Sequence, residues 1–383
     1  MMASLGPGDR ASGASHTREP PASSSRPTSG SSALSCAVVA VDANGADMGP
    51  SEVAAGAAIA ARQGVRVLLF GPAGELGDVG SGVEVVDAPV SLAKSPDPAR
   101  SVRSTPQASI VQAARAVGEG RAQALVCAGG TGAALAASLF NIKRMRGIHR
   151  PALALPIPIP GSPPTHAVTL LDVGASVQAR PEHLVQFAFM GAAFAKAVLG
   201  VAQPTVGLLS NGAESERGSE LVLQVGEELA ERANSGQLHF AGNVEGGDIV
   251  AGVADVIVTD GFTGNIALKL MEGVSQTMLG AIRQAALGSA RGKLGGLLLR
   301  SSLRAFREEI DPEGEGGAYL LGLRRLAVVP HGRFARHGFA QAILRAELGV
   351  REDVIGATHT ALNEAGALRS APVSGDPASL AGE

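Results

Sequence analysis

The sequence predicts an α/β protein with an open, mostly parallel β-sheet that carries helices on both faces. Short, uncharged runs of β-type residues alternate with segments of helical periodicity along most of the chain, a pattern typical of a parallel sheet covered on both sides. Hydrophobic residues make up 45% of the 383 residues and charged residues only 17%, which is enough for a large buried core. These features predict one α/β domain over residues 35–366.

The two ends of the chain differ from this domain. Residues 1–34 and 367–383 are rich in Ser, Pro, Gly and Ala, so they bury too little apolar surface to offset chain entropy, and we predict that both are disordered. No run reaches the ~18 apolar residues of a membrane-spanning helix, and the N-terminus lacks the apolar core of a secretory signal. A net charge of −3 argues against a general nucleic-acid binder. We expect a cytoplasmic protein in which Cys36 and Cys127 are buried thiols.

Periodicity locates the elements in chain order. Strands are predicted over residues 36–42, 65–70, 124–128, 168–172, 205–209, 238–241, 256–259 and 326–329. Helices are predicted over residues 51–63, 106–117, 131–145, 181–199 and 219–233. The proline-rich stretch 151–160 cannot continue a helix, so we predict an extended connector or an edge segment there.

Residues 275–310 form a basic segment of helical character. Apolar residues recur at helical spacing (Leu299, Leu303, Phe306 and Ile310), and six cations precede the first acid, Glu308 (Arg283, Arg291, Lys293, Arg300, Arg304 and Arg307). Such a helix could lie on an anionic membrane surface. The alternative is a helical arm packed against a second subunit with its arginines in solvent, and the segment alone favours that alternative.

Polar turns follow the strand-like runs, and the carboxyl ends of parallel strands converge on one crevice. Asp and Asn in such turns either orient a ligand or form ordinary Asx turns. A histidine near a helix start, such as His183, is more often a structural residue than a general acid or base. The candidates are Asp42, Asn44 and Gly45, then Gly129, Thr131 and Gly132, then Asp172, Arg217 and Asn243, and the turn at His331.

The most informative turn lies within residues 254–269. An apolar run meets Asp260, two glycines follow at Gly261 and Gly264, and a helical pattern then opens. A strand, a tight turn and a helix N-terminus in that order form a common anion site, because backbone N–H groups and the helix dipole favour negative charge. We therefore expect an anionic substrate near this turn.

These turns, in this order, resemble the bacterial phosphate acyltransferase family of phospholipid synthesis (acyl-acyl carrier protein:phosphate acyltransferases) over roughly residues 37–364. The most specific segments are Asp-Gly-Phe-Thr-Gly-Asn at 260–265 with Lys269, Gly-Asn-Val-Glu at 242–245, Leu-Asp-Val-Gly-Ala at 171–175, Arg-Pro-Glu-His at 180–183 and Met-Gly at 190–191. The resemblance implies a fold like that of isocitrate dehydrogenases and phosphate acetyltransferases, and a homodimer with its cleft near the subunit interface.

The resemblance also implies the reaction and its partners. A long-chain acyl group passes from acyl carrier protein to inorganic phosphate, and a membrane acyltransferase then places it on glycerol 3-phosphate. We expect no cofactor and no metal. Association with the membrane surface is implied as well, which raises the weight of the membrane interpretation of segment 275–310.

Several positions depart from the family pattern. The loop usually reading Met-Gly-Gly-Asp begins here with Asn44, Gly130 stands where an Asn is usual, Ser176 replaces another Asn, and Arg217 replaces a Lys. Arg in place of Lys keeps the positive charge but replaces a compact ammonium group by a planar guanidinium with several donors in fixed directions.

The resemblance assigns roles to the remaining candidates. Phosphate would be held by backbone and hydroxyl donors and by cations, and the thioester oxygen by amides, because positioning and oxyanion stabilisation carry this chemistry. The expected anion donors are Thr131, Gly132, Gly261, Thr263 and Gly264, the expected cations Arg103, Arg217 and Lys269, and the expected catalytic residues Lys269, Asn265, Asn243 and Asp260.

Two other functions remain open at this stage. A catalytically weakened or redirected relative, acting as a membrane-associated scaffold or in specialised metabolism, would explain the altered loops. A dehydrogenase of similar fold would need a cluster of metal-binding aspartates and a set of substrate-binding arginines, and neither set can be assembled from the sequence.

Overall fold

The computed structural model describes residues 37–159, 161, 167–309 and 312–369, and it confirms the predicted α/β fold. The strands are β1 (Val38–Asp42), β2 (Arg66–Gly71), β3 (Val83–Asp87), β4 (Ala124–Cys127), β5 (Ala152–Pro158), β6 (Ala167–Leu171), β7 (Thr205–Leu209), β8 (His239–Val244), β9 (Val256–Val258), β10 (Ala318–Leu321) and β11 (Leu326–Val329). The helices are α1 (Pro50–Arg62), α2 (Pro98–Ser104), α3 (Ser109–Gly118), α4 (Thr131–Asn141), α5 (Pro181–Val198), α6 (Glu220–Asn234), α7 (Gly261–Leu287), α8 (Ala290–Leu298), α9 (Arg300–Glu309), α10 (Arg336–Arg351) and α11 (Val354–Glu364).

The strands form one sheet in the order β3-β2-β1-β4-β11-β10-β5-β6-β9-β7-β8. The first five strands of this order are mutually parallel, and so are the last four. Strands β10 and β5 join the two groups through three successive antiparallel pairings. Because each antiparallel pairing reverses the strand direction, the two parallel groups run in opposite directions.

Strand β5 brings the carboxyl ends of both groups together. Its first residues, up to Ala154, pair with β10, and its residues from Ala154 onward pair with β6. Leu171, the last residue of β6, lies opposite Ala154. On the other side, Ala154 pairs with Tyr319, whose neighbour Ala318 pairs with Val329 at the end of β11. The two sets of strand ends therefore face each other across the middle of β5.

The predicted position of segment 151–160 was wrong. The segment is extended, as expected, but its main part is the interior strand β5 rather than a connector or an edge. Its prolines are tolerated because pairing with β10 stops at Ala154, so Pro156 and Pro158 have a ladder neighbour on one side only. Pro160 lies outside the described residues.

Alternating side chains of the strands form two apolar layers. In β1, Val39 and Val41 pack in one layer and Ala40 in the other, as the two-residue period of a strand requires. The first layer contains buried residues of α1, α5, α10 and α11, and the second those of α3 and α4. Cys127 lies buried in the second layer.

Some elements were not predicted. Strand β3 lies at the sheet edge and is only partly buried, so its apolar pattern is weak. Helix α10 has a clear apolar face of Phe339, Ala342, Ile343 and Ala346, but its polar and charged first turn obscures its start.

Helices α7, α8 and α9 carry the basic segment. A row of exposed apolar residues with a spacing of four runs along α7 (Ile266, Leu270, Val274, Met278 and Ile282). Leu299 and Phe306 are also exposed. None of the described helices is both long enough and apolar enough to cross a bilayer. Ile310, Cys36 and the predicted disordered residues 1–34 and 370–383 lie outside the described residues.

Candidate active-site cleft

A cleft of about 360 Å³ lies where the two sets of strand ends meet. One wall comes from the turns after β1, β4 and β11, and the other from β5, the turn after β6 and the first turns of α7. The polar and glycine positions in the lining are Gly45, Asp47, Lys94, Gly129, Gly130, Thr131, Asn265, Lys269, Glu272, Gly317, His331 and Gly332. Apolar side chains complete it, including Leu153, Leu155, Val173 and Leu268.

A second depression, of about 400 Å³, lies beside the cleft. It is lined by Asp260 and Thr263 on one side and by Ser210, Gly218 and Val222 on the other. The predicted residues of the turn at 260–269 are thus divided, because Asn265 and Lys269 face the cleft while Asp260 and Thr263 face this depression.

The N-terminus of α4 presents free backbone donors to the cleft. Gly130 is the N-cap residue, no side chain caps this helix, and Gly130 O accepts only from the N–H groups of Ala133 and Ala134. Within the part of the chain that the structure describes, the N–H groups of residues 129–132 have no hydrogen-bond partner. A helix start with unused amides is well suited to an anion.

Close packing explains the glycines of this wall. A Cβ atom added at Gly45, Gly129 or Gly130 would lie 2.6, 3.1 or 2.4 Å from atoms of Ala93. The absence of side chains at these three positions lets the loop that carries Ala93 rest directly on the start of α4. Its next residue, Lys94, reaches the cleft.

The N-terminus of α7 has no such free donors. The Asp260 carboxylate accepts from the N–H groups of Phe262 and Thr263, each at 2.9 Å, and from Thr263 Oγ1 at 2.7 Å. The N–H of Gly261 donates to Ser176 O, and that of Gly264 to Asp260 O. The amides expected to bind an anion are therefore used within the protein.

Gly261 and Gly264 pack against the loop after β6. A Cβ on Gly264 would lie 2.0 Å from Asp172 O, and one on Gly261 would lie 2.8 Å from Asp172 Oδ2 and from Ser176 N. The Asp172 carboxylate is itself buried and accepts from the N–H groups of Leu153, Gly174, Ala175 and Ser176 at 2.7–3.1 Å. Burial raises the pKa of Asp172, and these four donors lower it. Asp172 thus organises the loop on which α7 rests.

Asp42 and Asn44 are also engaged within the protein. Asn44 Nδ2 donates to Ala88 O at 2.9 Å and to Ser109 Oγ at 3.0 Å, and Asn44 N donates to Asp42 Oδ1 at 3.1 Å. Burial raises the pKa of Asp42 to about 7. Both side chains hold the turn that carries Gly45 and Asp47 into the cleft wall.

Of the three expected cations, Lys269 alone lines the cleft. Its Nζ lies 2.9 Å from Glu272 Oε2. The Arg103 guanidinium lies over the Phe140 ring, 4.4 Å from its centroid.

Arg217 and Asn243 lie together outside the cleft. Arg217 forms an exposed ion pair with Glu214 at 3.7 Å. Asn243 Nδ2 donates to Glu214 O at 2.7 Å and to Arg217 O at 3.1 Å, so its amide ties the loop after β7 to β8.

Lys94 was not predicted as a site residue. It is exposed at the mouth of the cleft, and it forms no ion pair with any described residue. No motif marks it in the sequence, because its loop follows no strand-like run of the predicted sheet.

His331 was noted in the sequence without a role, and it lines the cleft. Its Nδ1 accepts from Arg333 N at 3.3 Å. Burial lowers the pKa of His331, and the charges of Arg333 and Lys269 lower it further.

One group of residues in the described part of the chain has the side chains and the spacing of a metal site. The potential ligand atoms of His149, Glu182 and His183 lie within 4.8 Å of one another. The N–H of Arg180 donates to His183 Nδ1 at 3.1 Å. This hydrogen bond leaves the proton of the neutral imidazole on Nε2, so neither ring nitrogen offers a free lone pair. Arg144, Arg150, Arg180 and Arg369 lie close enough to act on the two rings. His183 therefore caps α5, and the surroundings disfavour a cation.

Comparisons with known proteins agree with this architecture. The sequence model of one family, described as "Fatty acid synthesis protein", matches residues 37–356. A phosphate acyltransferase of Desulforudis audaxviator is 42% identical over 322 residues, which cover 83% of this chain and 94% of that protein. A phosphate acyltransferase of Geobacillus thermodenitrificans is 39% identical over 324 residues, covering 83% of this chain and 96% of that protein.

Solved structures share the fold at low sequence identity. A phosphotransacetylase from Streptococcus pyogenes superposes with a TM-score of 0.56 at 16% identity, covering 82% of this chain and 94% of that one. The EutD phosphotransacetylase from Staphylococcus aureus gives a TM-score of 0.52 at 17% identity, with the same coverage of 82% and 94%.

Proposed function

The chain belongs to the fatty acid synthesis protein family, whose curated relatives are phosphate acyltransferases, and we propose that it transfers a fatty acyl group from an acyl carrier protein thioester to inorganic phosphate. The product is an acyl phosphate for phospholipid synthesis. The observation that carries this proposal is the cleft, which is lined by residues 129–131 with their free N–H groups and also by Asn265 and Lys269.

The two walls suit the two substrates. Phosphate binds at the start of α4, where the amides of Gly130, Thr131 and Gly132 donate to its oxygens and Lys269 supplies positive charge. The thioester lies along the apolar side of the cleft formed by Leu155 and Leu268. Asn265 donates to the thioester carbonyl oxygen.

The chemical step is a direct displacement. A phosphate oxygen attacks the carbonyl carbon, a C–O bond forms, and the developing oxyanion is stabilised by fixed hydrogen-bond donors. The C–S bond then breaks and its electron pair leaves with sulfur. A thiol has a pKa of about 8.5, so the thiolate is a good leaving group and takes a proton from solvent. The step needs no covalent enzyme intermediate.

The test measures phosphate-dependent turnover. Purified protein is mixed with acyl carrier protein thioesters of several chain lengths and inorganic phosphate, while free carrier thiol and acyl phosphate are both quantified. The two products should appear in equal amounts and only when phosphate is present. Thiol release without phosphate, or no release at any chain length, would refute the proposal.

A matched pair of lysine variants tests the site. Lys269→Gln should raise the KM for phosphate, because it removes the cation beside the start of α4. Lys196→Gln is the control, since Lys196 is exposed on α5 and does not line the cleft. Equal phosphate KM values in the two variants would argue against Lys269 as a phosphate ligand.

The assembly is part of the same proposal. The exposed apolar row on α7 at a spacing of four residues supports a helical arm that packs against a second copy of the chain. The cations of segment 275–310 support contact with an anionic membrane surface, where a glycerol-3-phosphate acyltransferase would consume the product. Sedimentation equilibrium tests the dimer, and flotation with anionic vesicles tests the membrane contact.

A further inference from the structure

We infer that His331 is a catalytic residue that donates an Nε2–H hydrogen bond to the oxyanion formed on the thioester carbonyl. This inference rests on the proposed acyl transfer and adds a second side-chain donor, beside Asn265, to the same cleft. Residue 331 is not one of the positions to which the sequence assigned a role.

The backbone around His331 is fixed from both sides. It follows the end of β11, and the N–H of Phe334 donates to His331 O at 3.0 Å. The N–H of Asp47 donates to Gly332 O at 2.8 Å, which ties the turn to the loop after β1. The imidazole also stacks on the Phe334 ring with centroids 6.3 Å apart. A donor on such a turn is held in place before the reaction begins.

The hydrogen bond at Nδ1 determines what the other nitrogen can do. Because Nδ1 accepts from Arg333 N at 3.3 Å, the neutral ring carries its proton on Nε2. Among the described residues, Nε2 has no partner, and His331 lines the cleft. Burial and the charges of Arg333 and Lys269 lower the pKa of His331 and so favour the neutral ring.

A neutral imidazole is the appropriate donor for this step. It stabilises the negative charge that develops on oxygen, yet it does not transfer its proton, so it needs no reprotonation in each cycle. Phosphate oxygen still attacks carbon and the electron pair of the C–S bond still leaves with sulfur. His331 takes part in no bond change and no proton transfer, and it only stabilises the negative charge that develops on oxygen.

Two substitutions distinguish the roles of the two ring nitrogens of His331. His331→Asn retains an oxygen that can accept from Arg333 N but has no group at the Nε2 position. His331→Gln places an amide N–H near the Nε2 position. His359→Asn is the matched control, because His359 is exposed on α11 and does not line the cleft.

We expect His331→Asn to lower kcat by about 10²–10³, the usual effect of losing one oxyanion donor. The phosphate KM should stay unchanged, and His331→Gln should recover part of the kcat. The pH profile of His331→Gln should keep the shape of the wild-type profile, because no proton passes through residue 331. His359→Asn should match wild type, and thermal unfolding of each variant should show a folded protein.

Three results would overturn the inference. An unchanged kcat in His331→Asn would exclude the donor role. A rise in phosphate KM alone would make His331 a phosphate ligand, and a limb of the pH profile lost in His331→Gln would make it a general acid or base. These outcomes differ from failure of the proposed function, in which wild-type protein itself shows no phosphate-dependent turnover.

Discussion

Replacing Gly264 by Ala tests the contact between the start of α7 and the loop after β6. The new Cβ would lie 2.0 Å from Asp172 O and 2.9 Å from Thr259 Cγ2, whereas real Cβ contacts stay above 3.0 Å. The backbone of α7 must therefore move by about 1 Å relative to Asp172. The obstacle is a backbone oxygen on a loop that four hydrogen bonds hold in place, so it cannot yield as a flexible side chain would.

The expected cost follows from two opposing effects. Overpacking in a well-packed region costs about 1–3 kcal/mol and occasionally more, and the backbone contact places Gly264→Ala at the top of that range. Exchanging Gly for Ala inside a helix recovers at most about 1 kcal/mol. We expect the free energy of unfolding to fall by about 2 kcal/mol or more.

The assay is urea unfolding followed by circular dichroism at one fixed protein concentration. Gly273→Ala in the same helix is the control, because a Cβ there meets nothing within 4 Å of its own chain and should gain up to about 1 kcal/mol from helix propensity. A Gly264→Ala variant as stable as wild type, or equal losses in both variants, would refute the packing explanation.

Three further predictions concern the walls of the cleft and the loop beside it. Asp42→Asn should make the free energy of unfolding less dependent on pH. Burial raises the pKa of Asp42 from 3.8 to about 7 in the folded protein. The protonated carboxyl therefore stabilises the wild type fully below the unfolded pKa, and on the order of 4 kcal/mol of this stability is lost as the pH rises through the folded pKa. Urea titrations across that pH range check this, and a slope that survives the substitution would count against it. Asn243→Ala should lower stability by about 1–3 kcal/mol, because its amide bridges two carbonyls of the loop after β7; a large fall in kcat with stability intact would instead indicate contact with substrate. Gly130→Ala should raise the phosphate KM because its Cβ would lie 2.4 Å from Ala93 O, which shifts the start of α4 and the amides assigned to phosphate. A phosphate KM equal to that of wild type would contradict this assignment.

The fold was predictable because its signals are local. Alternation of strand-like and helical periodicity depends on neighbouring residues, and it located most of the strands and helices. The interior position of β5 depends on which strands pair with it, and its prolines argue for an edge when the segment is considered alone. The structure explains this, because the first half of β5 pairs with β10, the proline half pairs with β6, and only Ala154 pairs on both sides.

The site was harder to predict, because the role of a side chain depends on which of its hydrogen-bond donors and acceptors the folded protein leaves free. Gly261 and Gly264 suited an anion site by type and spacing, but the tertiary contact with Asp172 explains both glycines. Asn243 has the chemistry of an oxyanion donor, yet a loop from elsewhere in the chain uses its amide. Lys94 carries no local signal at all, since only the folded loop brings it to the cleft.

The uncapped start of α4 has an electrostatic consequence. Helix α4 follows β4 and begins at the cleft, and no side chain caps it. A helix start carries roughly half a positive charge from its aligned peptide dipoles. The start of α7 contributes little to the cleft, because the Asp260 carboxylate accepts from its first amides and faces the neighbouring depression. Part of the positive potential in the cleft therefore belongs to the backbone of α4 itself. Attraction of a dianion should thus persist after a lysine is neutralised and weaken as ionic strength rises.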